Sequence, residues 1–142
     1  MYRVASGVLE LFLVHPGGPF WAKKDGGVWS IPKGEYLDDE EPLHAAKREF
    51  HEETGQSIEG NFIKLNPVKL KSGKVVHCWA VEGNVDADNI VSNIFPIEWP
   101  YKSGKFIDIP EVDKAGWFDV ETAKEKINIA QAAFIVELVR LL

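Results

Sequence analysis

Residues 41–54 constrain the fold of this chain more tightly than any other stretch. Leu43, Ala46 and Phe50 recur at i, i+3 and i+7, the period of an amphipathic helix, and Gly55 stands where such a helix stops. Asp38 or Asp39 is placed to cap the N-terminus, and Pro42 is tolerable within the first turn. At about 100° per residue, Glu49, Glu52 and Glu53 fall at i, i+3 and i+4, so three carboxylates share one face beside the apolar stripe. Like charges at this spacing repel, and partial burial raises their proton affinity unless a cation joins them. Hard divalent cations that prefer oxygen, chiefly Mg²⁺ or Mn²⁺, suit such a face. Arg48 lies four residues before Glu52 and can pair with it and hold its rotamer.

The remaining pattern alternates strands with helices. Residues 8–15 read as a buried strand, stopped by Pro16-Gly17-Gly18-Pro19, and residues 28–31 as a short strand broken by Pro32-Lys33-Gly34. Further strands are expected over residues 62–70 and 75–81, with Lys71-Ser72-Gly73-Lys74 as a hairpin-like turn. Residues 90–99 read as extended, a polar connection leads to a short strand at 115–118, and helices are expected at 120–126 and 131–142. The last helix carries Ala132, Phe134, Ile135, Leu138 and Leu142 as a broad apolar stripe, expected to pack on the sheet. Together these make an α/β layered domain with a mixed sheet.

Composition narrows the function. The 142 residues, 45% hydrophobic, suffice for one core, and no repeat or linker divides them, so one domain over residues 1–142 is expected. With 22 acidic against 16 basic residues the net charge is -6, which excludes a broad electrostatic footprint for duplex nucleic acid. No apolar run approaches the roughly 18 residues of a membrane span, and no signal-peptide pattern opens the chain. Cys78 is the only cysteine and sits in a strand-like context, so it reads as a buried inert thiol in a cytoplasmic protein. His15, His44, His51 and His77 lack zinc-ligand spacing, and His44 and His51 fall on the solvent side of the helix.

A bare Glu-x-x-Glu-Glu is commonly a solvated helix face. Here the surrounding positions decide otherwise. Gly34, Glu40, Arg48, Glu49, Phe50, Glu52, Glu53 and Gly55 fall in register with the Nudix box, which this segment resembles; Trp29-Ser30-Ile31-Pro32-Lys33 resembles its usual lead-in. Gln56 departs, standing where the family has an apolar residue, which should cost packing at the helix exit and leave the chemistry alone. The resemblance implies the Nudix α/β/α sandwich and water-driven cleavage of a diphosphate linkage. It implies Glu49 and Glu53 as principal Mg²⁺ ligands (Mn²⁺ an alternative), the Gly34 carbonyl as a further ligand, and Glu52 as the residue that ligates or deprotonates the water. Some members recruit the base from a later loop. Glu98 is the candidate for that here, with Glu111 and Asp113 behind it. Only Met1-Tyr2-Arg3-Val4 precede Ala5-Ser6-Gly7, where the family enters with a full strand. Either that strand is very short or Met1 is not the natural start, and a missing edge strand would weaken stability or be covered by a dimer contact.

For substrate contacts, Lys33 is the first phosphate candidate, with Lys24, Lys71, Lys102 and Lys105 as helpers. Phe20, Trp21 and Tyr101 lie in loops where they can stack on a base or sugar; Trp29, Trp79, Trp99 and Trp117 read as core. The partner expected is a small nucleotide, a dinucleoside polyphosphate or nucleoside triphosphate, bound by a monomer or homodimer. The competing readings are a Nudix-fold module that senses a nucleotide without cleaving it, and an interaction scaffold that has no use for the carboxylate face.

Overall fold

The computed structural model describes residues 1–33 and 39–142. Strands β1 (Tyr2–Ala5) and β2 (Val8–Pro16) form a hairpin around Ser6 and Gly7, whose φ values of 51° and 78° suit a two-residue turn between twisted strands. The first strand is thus present and short. β2 is the central strand of an antiparallel sheet completed by β9 (Val112–Asp119), in the order β1-β2-β9. The parallel bridge Tyr2↔Glu82 continues it beyond β1, and on the same side of β2 the antiparallel bridge Val14↔Ser30 leads to the parallel bridge Trp29↔Ile127, which makes the arrangement mixed as expected.

Side-chain alternation along β2 sets the layers. Leu11 and Leu13 pack with Trp29, Ala123, Ile127, Phe134, Ile135 and Leu138 on one face, under helices α2 (Val120–Lys126) and α3 (Ala132–Leu141). Phe12 and Val14 pack with Phe50, Val85 and Val112 on the other, under α1 (Pro42–Thr54). The result is the α/β/α sandwich. The stripe of α3 packs inward through Phe134, Ile135 and Leu138, whereas Leu142 is exposed.

Several local expectations are corrected. The helix cap is Glu41, whose carboxylate accepts from the Leu43 and His44 amides; Asp39 is exposed, and Asp38 lies outside the described residues. The strand expected at 62–70 is split into β3 (Ile63–Lys64) and β4 (Val68–Lys69), because Pro67 has no N–H for a continuous ladder. Likewise 75–81 divides into β5 (Val75–Val76), paired with β4, and β6 (Trp79–Ala80), paired with β3. The 28–31 segment makes only bridges, at Ser30 and Trp29. The polar connection after residue 99 is instead the return half of a hairpin, β7 (Ile94–Glu98) against β8 (Phe106–Pro110), and β9 begins three residues earlier than expected. This hairpin stands out from the core with Ile94 and Phe106 exposed, and Trp99 at its turn is exposed, not core.

Gln56 also departs from expectation in its consequence. Its amide donates to the Asp86 carbonyl (2.8 Å) and accepts from the Asp86 N–H (3.0 Å), replacing an apolar contact with two backbone hydrogen bonds. Cys78 is buried, and burial pushes its thiol up to about 11.

Candidate active site

Helix α1 presents Glu49 and Glu53, one turn apart and both buried, to a third carboxylate from across the fold, Glu111. Single oxygens of the three lie within 4.8 Å of one another. A run of backbone bonds accounts for Glu111 reaching the helix. The Asn93 N–H donates to the Glu52 carbonyl (2.7 Å), the Glu111 N–H to the Asn93 carbonyl (3.0 Å), and the Gly17 N–H to the Glu111 carbonyl (2.9 Å). The register of β2 against β9 shifts between His15 and Pro16, opposite this point, so Glu111 sits at an irregular joint between β8 and β9.

Crowding three carboxylates out of water has the electrostatic effect that such a group must have. Burial pushes Glu53 up to about 9, with Glu111 and Glu49 adding repulsion and the Lys33 N–H, which donates to Glu53 Oε2 at 2.9 Å, opposing it. Glu49 is likewise raised, by burial first and Glu52 next, against the pull of Arg48. A donor set of oxygens alone, drawn together and short of countercharge, fits a hard divalent cation.

Beside this cluster Arg48 holds a second group. Its guanidinium grips Glu40 with two bonds (2.8 and 2.9 Å), and Nη1 donates to Glu49 Oε1 (2.9 Å) and Glu52 Oε1 (3.0 Å). Those contacts, Glu40 foremost and Glu52 next, raise the proton affinity of Arg48 still further above its already high value. Glu52 is half-buried and lies outside the three-carboxylate cluster, on the Arg48 side of the helix face.

The other sequence candidates divide by location. Lys33 is exposed, and its backbone touches Glu53. Lys24 and Trp21 belong together with Phe20: the two rings meet edge to face at 4.7 Å, and Lys24 Nζ stands 3.7 Å from the Phe20 centroid and 5.3 Å from that of Trp21. Glu98 has both oxygens engaged by the turn after β7, accepting from the Lys102 N–H (2.9 Å) and the Gly104 N–H (3.2 Å). Tyr101 is 80% exposed in that same turn. Gly34 lies outside the described residues. Asp113 pairs with His15 at 2.8 Å. Glu111 ranked low in the sequence because nothing in its spacing marks it; only its place in a Pro-Glu pair before a strand hinted at a joint. A cleft of about 580 Å³ lined by Arg3, Asn84, Asp86, Asp88 and Trp117 shares no residue with the cluster.

Comparison with known proteins agrees with this architecture. The model of the NUDIX domain matches residues 3–138. No curated protein matches the sequence. Among solved structures, a C. elegans Ap4A hydrolase in a binary complex is 19% identical with a TM-score of 0.66, over 99% of this chain and 90% of that one. The NUDIX domain of Shewanella oneidensis NrtR, complexed with ADP ribose, is 17% identical with a TM-score of 0.62, over 99% and 81%. At these identities the likeness is one of fold.

Proposed function

The chain belongs to the NUDIX family, and from that premise we propose that it is a Mg²⁺-dependent pyrophosphohydrolase that cleaves a diphosphate linkage in a dinucleoside polyphosphate or a nucleoside triphosphate. The observation that carries this reading is the convergence of Glu49, Glu53 and Glu111 within 4.8 Å. Such a group has a purpose when a cation occupies it and a cost when none does.

In this reading Glu49, Glu53 and Glu111 hold the metal, with the Gly34 carbonyl as a further ligand. Bound Mg²⁺ supplies charge neutralisation at the diphosphate oxygens, which otherwise repel an incoming nucleophile. Glu52 takes the proton of the attacking water. Its Oε1 is fixed by Arg48, while Oε2 carries no bond to a described residue, so the group is oriented and still has a basic oxygen to offer. The water oxygen bonds to phosphorus, the bridging P–O bond breaks, and the leaving phosphate departs with the bridging oxygen. Glu98 is the weaker choice of base because its two oxygens already serve the hairpin turn. Lys33 supplies a cation for a phosphate oxygen beside Glu53, Lys24 a second one, and Trp21 a face for the base; Tyr101 is a more distant stacking candidate on the β7–β8 turn.

The likeness to an Ap4A hydrolase supports the dinucleoside polyphosphate choice. A nucleotide-sensing domain without turnover is the alternative, and the NrtR domain with bound ADP ribose is the reason to keep it. No helix among the described residues is long and apolar enough to cross a membrane, and the lone buried thiol agrees with a cytoplasmic setting.

Phosphate release across a panel of dinucleoside polyphosphates, nucleoside triphosphates and sugar nucleotides, with Mg²⁺ and with EDTA, tests the proposal. Turnover of one class, lost with EDTA and in Glu53→Gln, is expected. Folded, metal-loaded protein that binds nucleotide and cleaves none of the panel would favour the sensor.

A further inference from the structure

His15 is fully buried at the end of β2, yet both of its ring nitrogens are committed. Nδ1 lies 2.8 Å from Asp113 Oδ1 and Nε2 lies 2.6 Å from the Lys24 carbonyl oxygen. A carbonyl only accepts, as does a carboxylate, so the ring serves both partners when both nitrogens carry hydrogen. One side chain thus ties together β2, β9 and the loop of residues 17–27.

Among the described residues, the other hydrogen bonds that pin that loop lie near its ends. The Gly17 N–H donates to the Glu111 carbonyl, and a Cβ on Gly17 would lie 2.0 Å from the Pro110 oxygen, so the loop leaves flush against the third carboxylate's own backbone. At the far end Gly27 bonds Glu125, while Asp25 accepts from Trp29 Nε1 and pairs with Lys126. The chain then runs through Ser30, bridged to Val14, to Lys33, whose N–H meets Glu53. The loop therefore starts from Glu111 and returns to Glu53. Between these ends lies the cluster of exposed Phe20 and Lys24 with half-buried Trp21, and among the described residues, beyond the local turn bonds of residues 18–24, the hydrogen bond from His15 to the Lys24 carbonyl ties that part to the sheet.

We propose that His15 is a positioning residue: by holding the Lys24 carbonyl from the sheet, it sets the Phe20, Trp21 and Lys24 cluster at a fixed place relative to the carboxylates, so that a ring and a cation meet the nucleoside and phosphate of the substrate together. This rests on the reading above, in which Trp21 and Lys24 contact substrate. Asp113 turns the ring so that Nε2 faces the loop.

Two substitutions of similar polarity separate positioning from packing. Gln places an amide N–H near where Nε2 stands and keeps a donor for the Lys24 carbonyl, whereas Asn places one near Nδ1 and keeps only the Asp113 contact. In amide hydrogen exchange of the full chain, His15→Asn should speed exchange of residues 18–24 by about tenfold, the equivalent of one hydrogen bond, with His15→Gln close to wild type. With Ap4A and Mg²⁺, His15→Asn should raise KM by about tenfold and leave kcat within about threefold, because uniform binding is lost and the transition-state machinery is not. Asp113→Ala, on a half-exposed side chain, covers the case in which the buried substitutions unfold: exchange of 18–24 should rise, and Asp113→Asn should restore it. Equal exchange in His15→Asn and His15→Gln, or in Asp113→Ala and wild type, would overturn the clamp. A loosened loop with unchanged KM would overturn its role in substrate placement. Absence of turnover in wild type would instead count against the hydrolase reading, while the exchange data would still decide the clamp.

Discussion

Arg48 spreads one positive charge over Glu40, Glu49 and Glu52, whereas among the described residues Glu53 is countered by Lys33, through its N–H and its charge. In the proposed mechanism Glu52 and Glu53 therefore do different work. Glu52, oriented by Arg48, there takes the proton of the water, so Glu52→Gln should lower kcat by about a hundred- to ten-thousand-fold with little change in stability; steady-state kinetics and a thermal melt check both halves. Glu53 carries the burden of burial. Its proton is held in the folded state up to about 9 but is lost near 4.5 when unfolded. The stability it confers is thus fully present below 4.5 and declines as pH rises from there to about 9. In EDTA the melting temperature should fall across that window, and Glu53→Gln, which stays neutral and can still accept from Lys33, should flatten the slope. Identical slopes in the two proteins would mean that Glu53 is not the group responsible.

At the level of elements, helix α1 holds the site through its ends as much as its face. The Glu41 carboxylate caps two amides at the start, and Glu41→Ala should cost about 1 kcal/mol in denaturant unfolding. At the exit Gly55 has φ 74°, and an added Cβ would lie 3.0 Å from Val91, so Gly55→Ala should cost more than the roughly 1 kcal/mol of the backbone term alone and slacken the 91–93 segment that carries Glu111. The helix and its carboxylates were legible because a 3.6-residue period puts near neighbours in sequence on one face. Glu111 was not, since its approach depends on three backbone bonds through Asn93 and Gly17, none of which leaves a mark on local spacing. Of the β7–β8 hairpin, β7 falls within the stretch 90–99 that reads as extended, and β8 and the pairing escaped for a related reason. Its strands carry Pro96 and Asp108 among exposed apolar residues, so the alternation that marks a half-buried strand is missing. Strands of two residues, such as β3 and β6, are too short for any period to show. Residue preference points to Asp38 or Asp39 for the cap, and the chain uses the longer Glu41 instead.

For the molecule as a whole, the proposed function links metal and fold. Because the carboxylates are crowded only in the folded state, a cation there binds the native chain in preference to the unfolded one. Mg²⁺ at about a hundred times its Kd should stabilise the protein by about 2.7 kcal/mol, read as a rise in the midpoint of one cooperative transition followed by both far-UV dichroism and tryptophan fluorescence. Separate midpoints for the two probes would count against a single domain. The joint at Glu111 carries one more consequence, for the order in which the molecule comes into being. Glu49 and Glu53 lie on a local helix, but their partner is synthesised some way behind, and it is held between a local hairpin, β7–β8, and a distant pairing, β9 with β2. A nascent chain that stops short of residue 111 holds two of the three carboxylates and the β7–β8 hairpin but not the β2–β9 pairing that follows Glu111, so the carboxylate centre is completed late in synthesis.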